Sequence, residues 1–107
     1  MHEAFESAAQ DAARTKIEEL KKLTMKDVLL LPEASAEDIV VAGKEVQRAI
    51  FRQMGVPDLP DAVLVTVQVS RAALGGIVKY LHENGLVFLP DGSCRQATEA
   101  ELLATGG

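Results

Sequence analysis

The run from Val63 to Val69 constrains the fold more than any other segment, because its seven residues support two incompatible structures. Valine at every second position and an excess of β-branched side chains predict a strand. The preceding Asp58, acting as a cap with Pro60 near the first helical positions, predicts instead a helix that begins at Leu59. The sequence leaves both structures open, and they lead to different functions.

Length and cysteine count predict one domain that is stabilised by packing alone. At 107 residues the chain has the size of a single domain with one core. Its one cysteine, Cys94, cannot form an internal disulfide or anchor a cysteine-rich zinc site. We expect a single domain over 1–107, with an N-terminal helix over 1–23, a core over 24–98, and a short helix with a frayed tail over 99–107.

The first segment has the spacing of an amphipathic helix. From Glu3 to Leu23, apolar residues return at three- and four-residue steps, namely Phe5, Ala9, Ala13, Ile17, Leu20 and Leu23. Alanine buries little area, so this helix needs a partner to be stable. That partner is either the rest of the domain or a second copy of the helix. Residues 1–23 are therefore a candidate dimerisation arm, and the protein is a candidate homodimer.

Cap and stop signals predict two more helices before residue 56. Thr24 caps a short helix from Met25 to Leu31, and Pro32 stops it. Ser35 begins a longer helix, which ends at the glycine C-cap Gly55. One side of the longer helix is apolar and contains Ile39, Ala42, Val46, Ala49 and Ile50.

A basic stripe lies on the other side of the longer predicted helix, where Lys44, Arg48 and Arg52 follow one another at four-residue spacing. Three positive charges in a line could follow a nucleic-acid backbone or an acidic partner. The alternative is an ordinary solvated face, since charged side chains rarely go inside.

The C-terminal part combines a helix with a hairpin. Ser70 caps a predicted helix from Arg71 to Glu83, with Leu74, Ile77, Val78 and Leu81 as its buried stripe. The turn Pro90-Asp91-Gly92-Ser93 lies between two short extended pieces and predicts a β-hairpin. Thr98 with Glu101 forms a capping box for a last helix. These elements predict a mainly helical α+β fold.

The segment from Leu59 to Thr98 resembles the winged helix-turn-helix DNA-binding proteins over about 40 residues. Val69-Ser70 provide the turn and the cap, and Leu74 and Ile77 provide the apolar anchors of the following helix. Gln68 stands where the family usually has glycine. The resemblance implies that the helix after Ser70 enters the major groove and that the hairpin is the wing.

Site residues follow from that resemblance. It implies that Ser70, Arg71 and Lys79 contact DNA from the recognition helix and that Arg95 supplies the charge of the wing. Each has a simpler role as a cap or a solubilising charge. The pair Gly75 and Gly76 costs about 1 kcal/mol per glycine in mid-helix, which favours close approach of a partner or a nucleic-acid backbone.

The charge distribution is compatible with two binding roles, one toward DNA and one toward another protein. The net charge of −5 disfavours phosphate neutralisation, although residues 62–98 hold two acids and three bases. We expect a small DNA-binding transcriptional regulator of winged-helix type. The alternative is an acidic protein-protein interaction module, an adaptor or inhibitor, whose partner is a protein and not DNA. A helix over Val63–Val69 favours the first, and a central paired strand favours the second.

Enzyme signatures are absent from the sequence. It has no phosphate-binding glycine loop, no His-Glu-x-x-His motif and no dinucleotide fingerprint. With His2 and His82 as the only histidines, we expect no metal and no cofactor. No apolar run approaches a membrane span, and the acidic start lacks the features of a signal peptide, so we expect a cytoplasmic protein without a membrane partner. Gly106-Gly107 is expected to be a frayed tail.

Overall fold

The computed structural model describes residues 2–72 and 78–104, with side chains described over 7–71 and 82–102. Its centre is a five-stranded antiparallel sheet in which each strand pairs with the next one along the chain, in the order β1-β2-β3-β4-β5. The elements in chain order are α1 (His2–Leu20), α2 (Met25–Leu29), β1 (Ala34–Val41), β2 (Lys44–Val56), β3 (Leu59–Ala72), β4 (Val78–Phe88), β5 (Cys94–Gln96) and α3 (Glu99–Ala104).

Helix α1 covers one face of the sheet, which we call the helix face. Its stripe of Ala9, Ala13, Ile17 and Leu20 is buried. The stripe packs against alternate residues of β3 and β4, namely Val63, Val65, Val67, Val69, Leu86 and Phe88. Because alanine leaves α1 thin, the helix can lie close to the valines beneath it. This packing forms the main core, and Val28 of α2 completes it.

The opposite face, which we call the far face, is only partly covered. Helix α3 packs there on a second cluster formed by Val56, Ala62, Leu64, Val87 and Ala97. A Cβ on Gly85 would lie 2.9 Å from Leu102 Cδ2 and 3.2 Å from the carbonyl oxygen of Val65. Glycine at this position of β4 therefore lets α3 approach the sheet.

The prediction of a mainly helical fold is wrong, beginning with the helix predicted from Ser35 to Gly55. Residues 34–56 form the hairpin of β1 and β2, with Val41 opposite Lys44 across a two-residue turn. The turn residues Ala42 and Gly43 have φ angles of 49° and 79°, as a type I′ turn requires. Ile39 and Val46 match a helical stripe by spacing, but they lie opposite each other on the helix face.

The helix predicted from Arg71 to Glu83 is also wrong. Ser70, Arg71 and Ala72 end β3, and residues 78–83 belong to β4. Val63–Val69 is the centre of β3, paired with β2 on one side and β4 on the other. With both faces of β3 covered, the β-branched run fits a central strand and decides the question that the sequence left open.

Several shorter predictions are confirmed. Thr24 caps α2 and accepts a hydrogen bond from the backbone N–H of Asp27. The hairpin around Pro90-Asp91-Gly92-Ser93 joins β4 to β5, with Phe88 opposite Cys94. Thr98 and Glu101 form the expected capping box at the start of α3. These signals are local, so they hold regardless of the surrounding fold.

Candidate protein-interaction surface

The four residues predicted to contact DNA do not form one surface. Ser70 is buried near the end of β3, and Arg71 lies opposite Lys79 in the register of β3 and β4. Arg95 in β5 lies opposite Val87, eight residues further along β4 than Lys79, or about 26 Å of strand. Gly75 and Gly76 fall outside the described residues. The recognition helix predicted to carry Ser70, Arg71 and Lys79 is therefore wrong, and DNA contact by these residues stays a prediction.

Arg95 connects β5 to α3. Its two terminal nitrogens donate to the two carboxylate oxygens of Glu101 at 2.7 and 2.8 Å. The hydrogen bonds from Arg95 lower the pKa of Glu101 to about 2, with further lowering from the backbone and side chain of Thr98. The same contact raises the pKa of Arg95. Arg95 is thus held in a bidentate pair.

The predicted basic stripe does not form a solvated helix face. The side chains of Lys44, Arg48 and Arg52 all lie on the helix face of β2. Lys44 and Arg48 are opposite Val41 and Glu37 of β1, and Arg52 is opposite Val65 of β3. Arg48 Nε donates to the carboxylate of Glu37 at 2.8 Å, and Arg48 Nη1 donates to the carbonyl oxygen of Ala12 at 3.0 Å. It therefore connects β1, β2 and α1.

The open edge of β1 is the surface that the sequence did not predict. Within the described part of the chain, β1 pairs with β2 alone. The backbone N–H of Arg52 donates to the carbonyl oxygen of Glu33, so Glu33 and the odd-numbered residues of β1 hydrogen-bond to β2. By the same alternation, the backbone groups of Ala34, Ala36, Asp38 and Val40 point to the open edge.

A groove of about 420 Å³ runs beside this edge on the helix face. Its apolar lining includes Ala8 and Ala12 of α1 and Ile39 of β1. Arg48 also lines it, but that guanidinium is paired with Glu37, whose pKa it lowers first by hydrogen bonding and then by charge. The groove lies between α1, which provides Ala8 and Ala12, and the end of β1 at Ile39 to Val41.

Only carboxylates are unpaired at the far-face side of the edge. Asp38 of β1 and Glu45 of β2 are both exposed there. In the described part of the molecule, neither carboxylate forms an ion pair or a side-chain hydrogen bond. Among the described strand side chains of the far face, Arg95 is the one base, and it is paired with Glu101. This side of the molecule therefore presents uncompensated negative charge.

The comparisons with protein-family models, curated proteins and solved structures found no match. None of the helices in the described ranges is long and apolar enough to cross a membrane. Nor do those ranges group three or more histidine, cysteine or acidic side chains in a way that could hold a metal ion.

Proposed function

We propose that this chain is an acidic protein-interaction module, which binds a partner protein by adding an extended segment of that partner to the edge of β1. The observation that carries the proposal is the eight-residue edge strand with its outward backbone groups at Ala34, Ala36, Asp38 and Val40. Strand addition at an open edge uses main-chain hydrogen bonds for affinity and side-chain pockets for specificity.

The features that normally protect an edge are scarce in β1. Proteins shield edge strands with charged side chains, proline, bulges or a covering segment, and of these β1 has, within the described ranges, only the charges of Glu37 and Asp38. Strand β1 contains neither proline nor lysine, and its register with β2 runs without interruption from Ala34 to Val41. Its acidic side chains, Glu37 and Asp38, add selectivity because they discourage pairing with another acidic strand.

A protein partner suits this surface better than nucleic acid does. The net charge is −5, and the exposed charges Asp38 and Glu45 beside the edge would repel phosphates. DNA binding and membership of the winged helix-turn-helix superfamily remain predictions from the sequence. So does homodimerisation, although the stripe proposed as the dimer arm packs on the chain's own sheet. We propose the cytoplasm as the place of this interaction, since one cysteine suits a reducing compartment.

The test locates the binding site of a captured partner. The protein is used to capture partners from nuclease-treated lysate, and amide hydrogen exchange is then compared between the free and the bound protein. We expect slower exchange at Ala34, Ala36, Asp38 and Val40 in the complex. Ala36→Pro should abolish capture, because proline removes an outward donor without removing a hydrogen bond to β2. The matched variant Ala36→Thr should retain it.

Three results would contradict the proposal: a partner captured from untreated lysate but lost after nuclease treatment, protection of amides elsewhere than β1, or equal capture by Ala36→Pro. DNA binding is measured in parallel by mobility shift at two salt concentrations. A complex that weakens with salt, and weakens further in the Arg71→Ala, Lys79→Ala double variant, would favour the DNA-binding prediction.

A further inference from the structure

The helix face and the far face beside the β1 edge favour different side chains on an added strand. Side chains alternate between the faces of a sheet, so every second residue of the added strand would point to the helix face. Those residues would enter the groove beside Ala8, Ala12 and Ile39. Asp11 and Arg48 also line the groove, but each is held in an ion pair, with Arg14 and Glu37 respectively. The walls at the three apolar positions are methyl and methylene groups, which favour apolar side chains.

The other residues of the added strand would point to the far face, toward Asp38 and Glu45. Asp38 lies opposite Gln47 in the register of β1 and β2, so Glu45 is its diagonal neighbour, about 7–8 Å away. A lysine or arginine directly opposite Asp38 would lie about 5 Å from it at Cβ. Such a side chain can form an ion pair with Asp38, and Glu45 on the strand beyond adds negative charge.

A second copy of this chain is a poor occupant of the same edge. If β1 pairs with β1 of a second copy around a two-fold axis, both α1 helices lie on the same face of the joined sheet when directly opposed residues face the same way. The two registers that pair most of the strand then place Asp38 against Asp38, both unpaired, or Glu37 against Glu37, each already paired with its own Arg48. Like charges directly opposite each other are destabilising, so the edge selects a different sequence.

We infer that the partner segment alternates apolar and basic residues, with the apolar ones in the groove beside α1 and a lysine or arginine opposite Asp38. This inference rests on the proposed function and specifies the chemistry of its partner. It predicts that both the alternation and the sign of the charge matter for binding.

Three synthetic peptides of about ten residues test the inference, with affinity measured by fluorescence anisotropy on the full chain. One peptide alternates valine with lysine, one alternates valine with glutamate, and one has the valine and lysine content of the first with the alternation destroyed. We expect the alternating lysine peptide to bind at least fivefold more tightly than either of the others. Its affinity should fall as salt is raised.

Variants of the protein test where on its surface the peptide binds. Asp38→Lys should weaken the alternating lysine peptide about fivefold, whereas Glu99→Lys, the same charge change at an exposed site on α3, should change affinity less than twofold. Ala12→Leu should also weaken it by filling the groove. Circular dichroism confirms that each variant is folded, and size-exclusion chromatography detects self-association.

The inference would be overturned if the glutamate peptide, or the lysine peptide without alternation, bound as tightly as the alternating lysine peptide. An unchanged affinity in Asp38→Lys would also overturn it. Self-association that Ala36→Pro abolishes would overturn it in favour of a second copy. These results are separable from failure of the proposed function, because that function is judged by where a captured partner protects the amides of this chain.

Discussion

At the scale of single residues, Glu101 shows how one carboxylate can serve two structures. Its Oε1 accepts a hydrogen bond from the backbone N–H of Thr98 at 2.9 Å, which caps α3. The same carboxylate accepts hydrogen bonds from both terminal nitrogens of Arg95, which connects α3 to β5. Each contact requires or favours the ionised form, so the stability of this corner depends on pH.

We expect Glu101→Gln to lower the free energy of unfolding at pH 7 by about 1–2 kcal/mol, because glutamine keeps the cap but loses the charge-assisted pair. Since the pKa of Glu101 falls from 4.5 to about 2 on folding, its stabilisation is present above pH 4.5. It is lost progressively as the pH falls toward 2. Urea unfolding at pH 7, 5, 3 and 2 measures the difference between Glu101→Gln and the parent protein. A difference that does not shrink in acid would contradict this account.

The sequence predicted the Thr98–Glu101 capping box, but not the contact between Glu101 and Arg95. The capping box depends on residues three apart, which any helix start brings together. Glu101 and Arg95 meet only because β5 folds back along β4, and that follows from tertiary structure. The same is true of Arg48, whose contacts with Glu37 and Ala12 depend on strand pairing and on where α1 lies.

At the scale of elements, the turn at Ala42 and Gly43 determines that residues 34–56 form a hairpin. An L-residue with positive φ, such as Ala42 at 49°, is strained by about 1–2 kcal/mol. Asparagine tolerates this conformation and is favoured before glycine in type I′ turns.

We therefore expect Ala42→Asn to raise the free energy of unfolding by about 0.5–1 kcal/mol, as measured by urea denaturation. In the helix predicted from the sequence, the same change would be destabilising, because asparagine is a poorer helix former than alanine. The sign of the effect distinguishes the two structures. Ala36→Asn, at an exposed position of β1, is the control and should give no gain.

The long helices predicted from the sequence failed for a physical reason. Ile39, Val46 and Ile50 recur at helical spacing, but Val46 and Ile50 also share one face of a strand. Periodicity alone does not separate the two when a strand face carries charges such as Arg48 among the apolar residues. The decisive signals were the β-branched run Ile39-Val40-Val41 and the following Ala42-Gly43 turn, which together are typical of a hairpin.

At the scale of the whole molecule, α1 and the sheet share one core and should unfold together. Ala13 is fully buried between the helix and the sheet, so Ala13→Asp should lower the free energy of unfolding by roughly 3 kcal/mol or more. Thr15→Asp, exposed on the same helix, should change it by less than about 0.5 kcal/mol. Urea unfolding followed by circular dichroism gives these values. Hydrogen exchange shows whether β3 amides lose protection in the same transition, and β3 amides that stay protected after α1 melts would contradict a shared core.

The meander order has a consequence for how the chain reaches this structure. Each strand pairs with its neighbour in sequence, so every pairing closes through a short connection. Folding slows as the sequence separation of contacts grows, and hairpins form within about 1–10 μs. The sheet can therefore assemble one hairpin at a time, and we expect this chain to refold faster than Greek-key sandwiches of equal length.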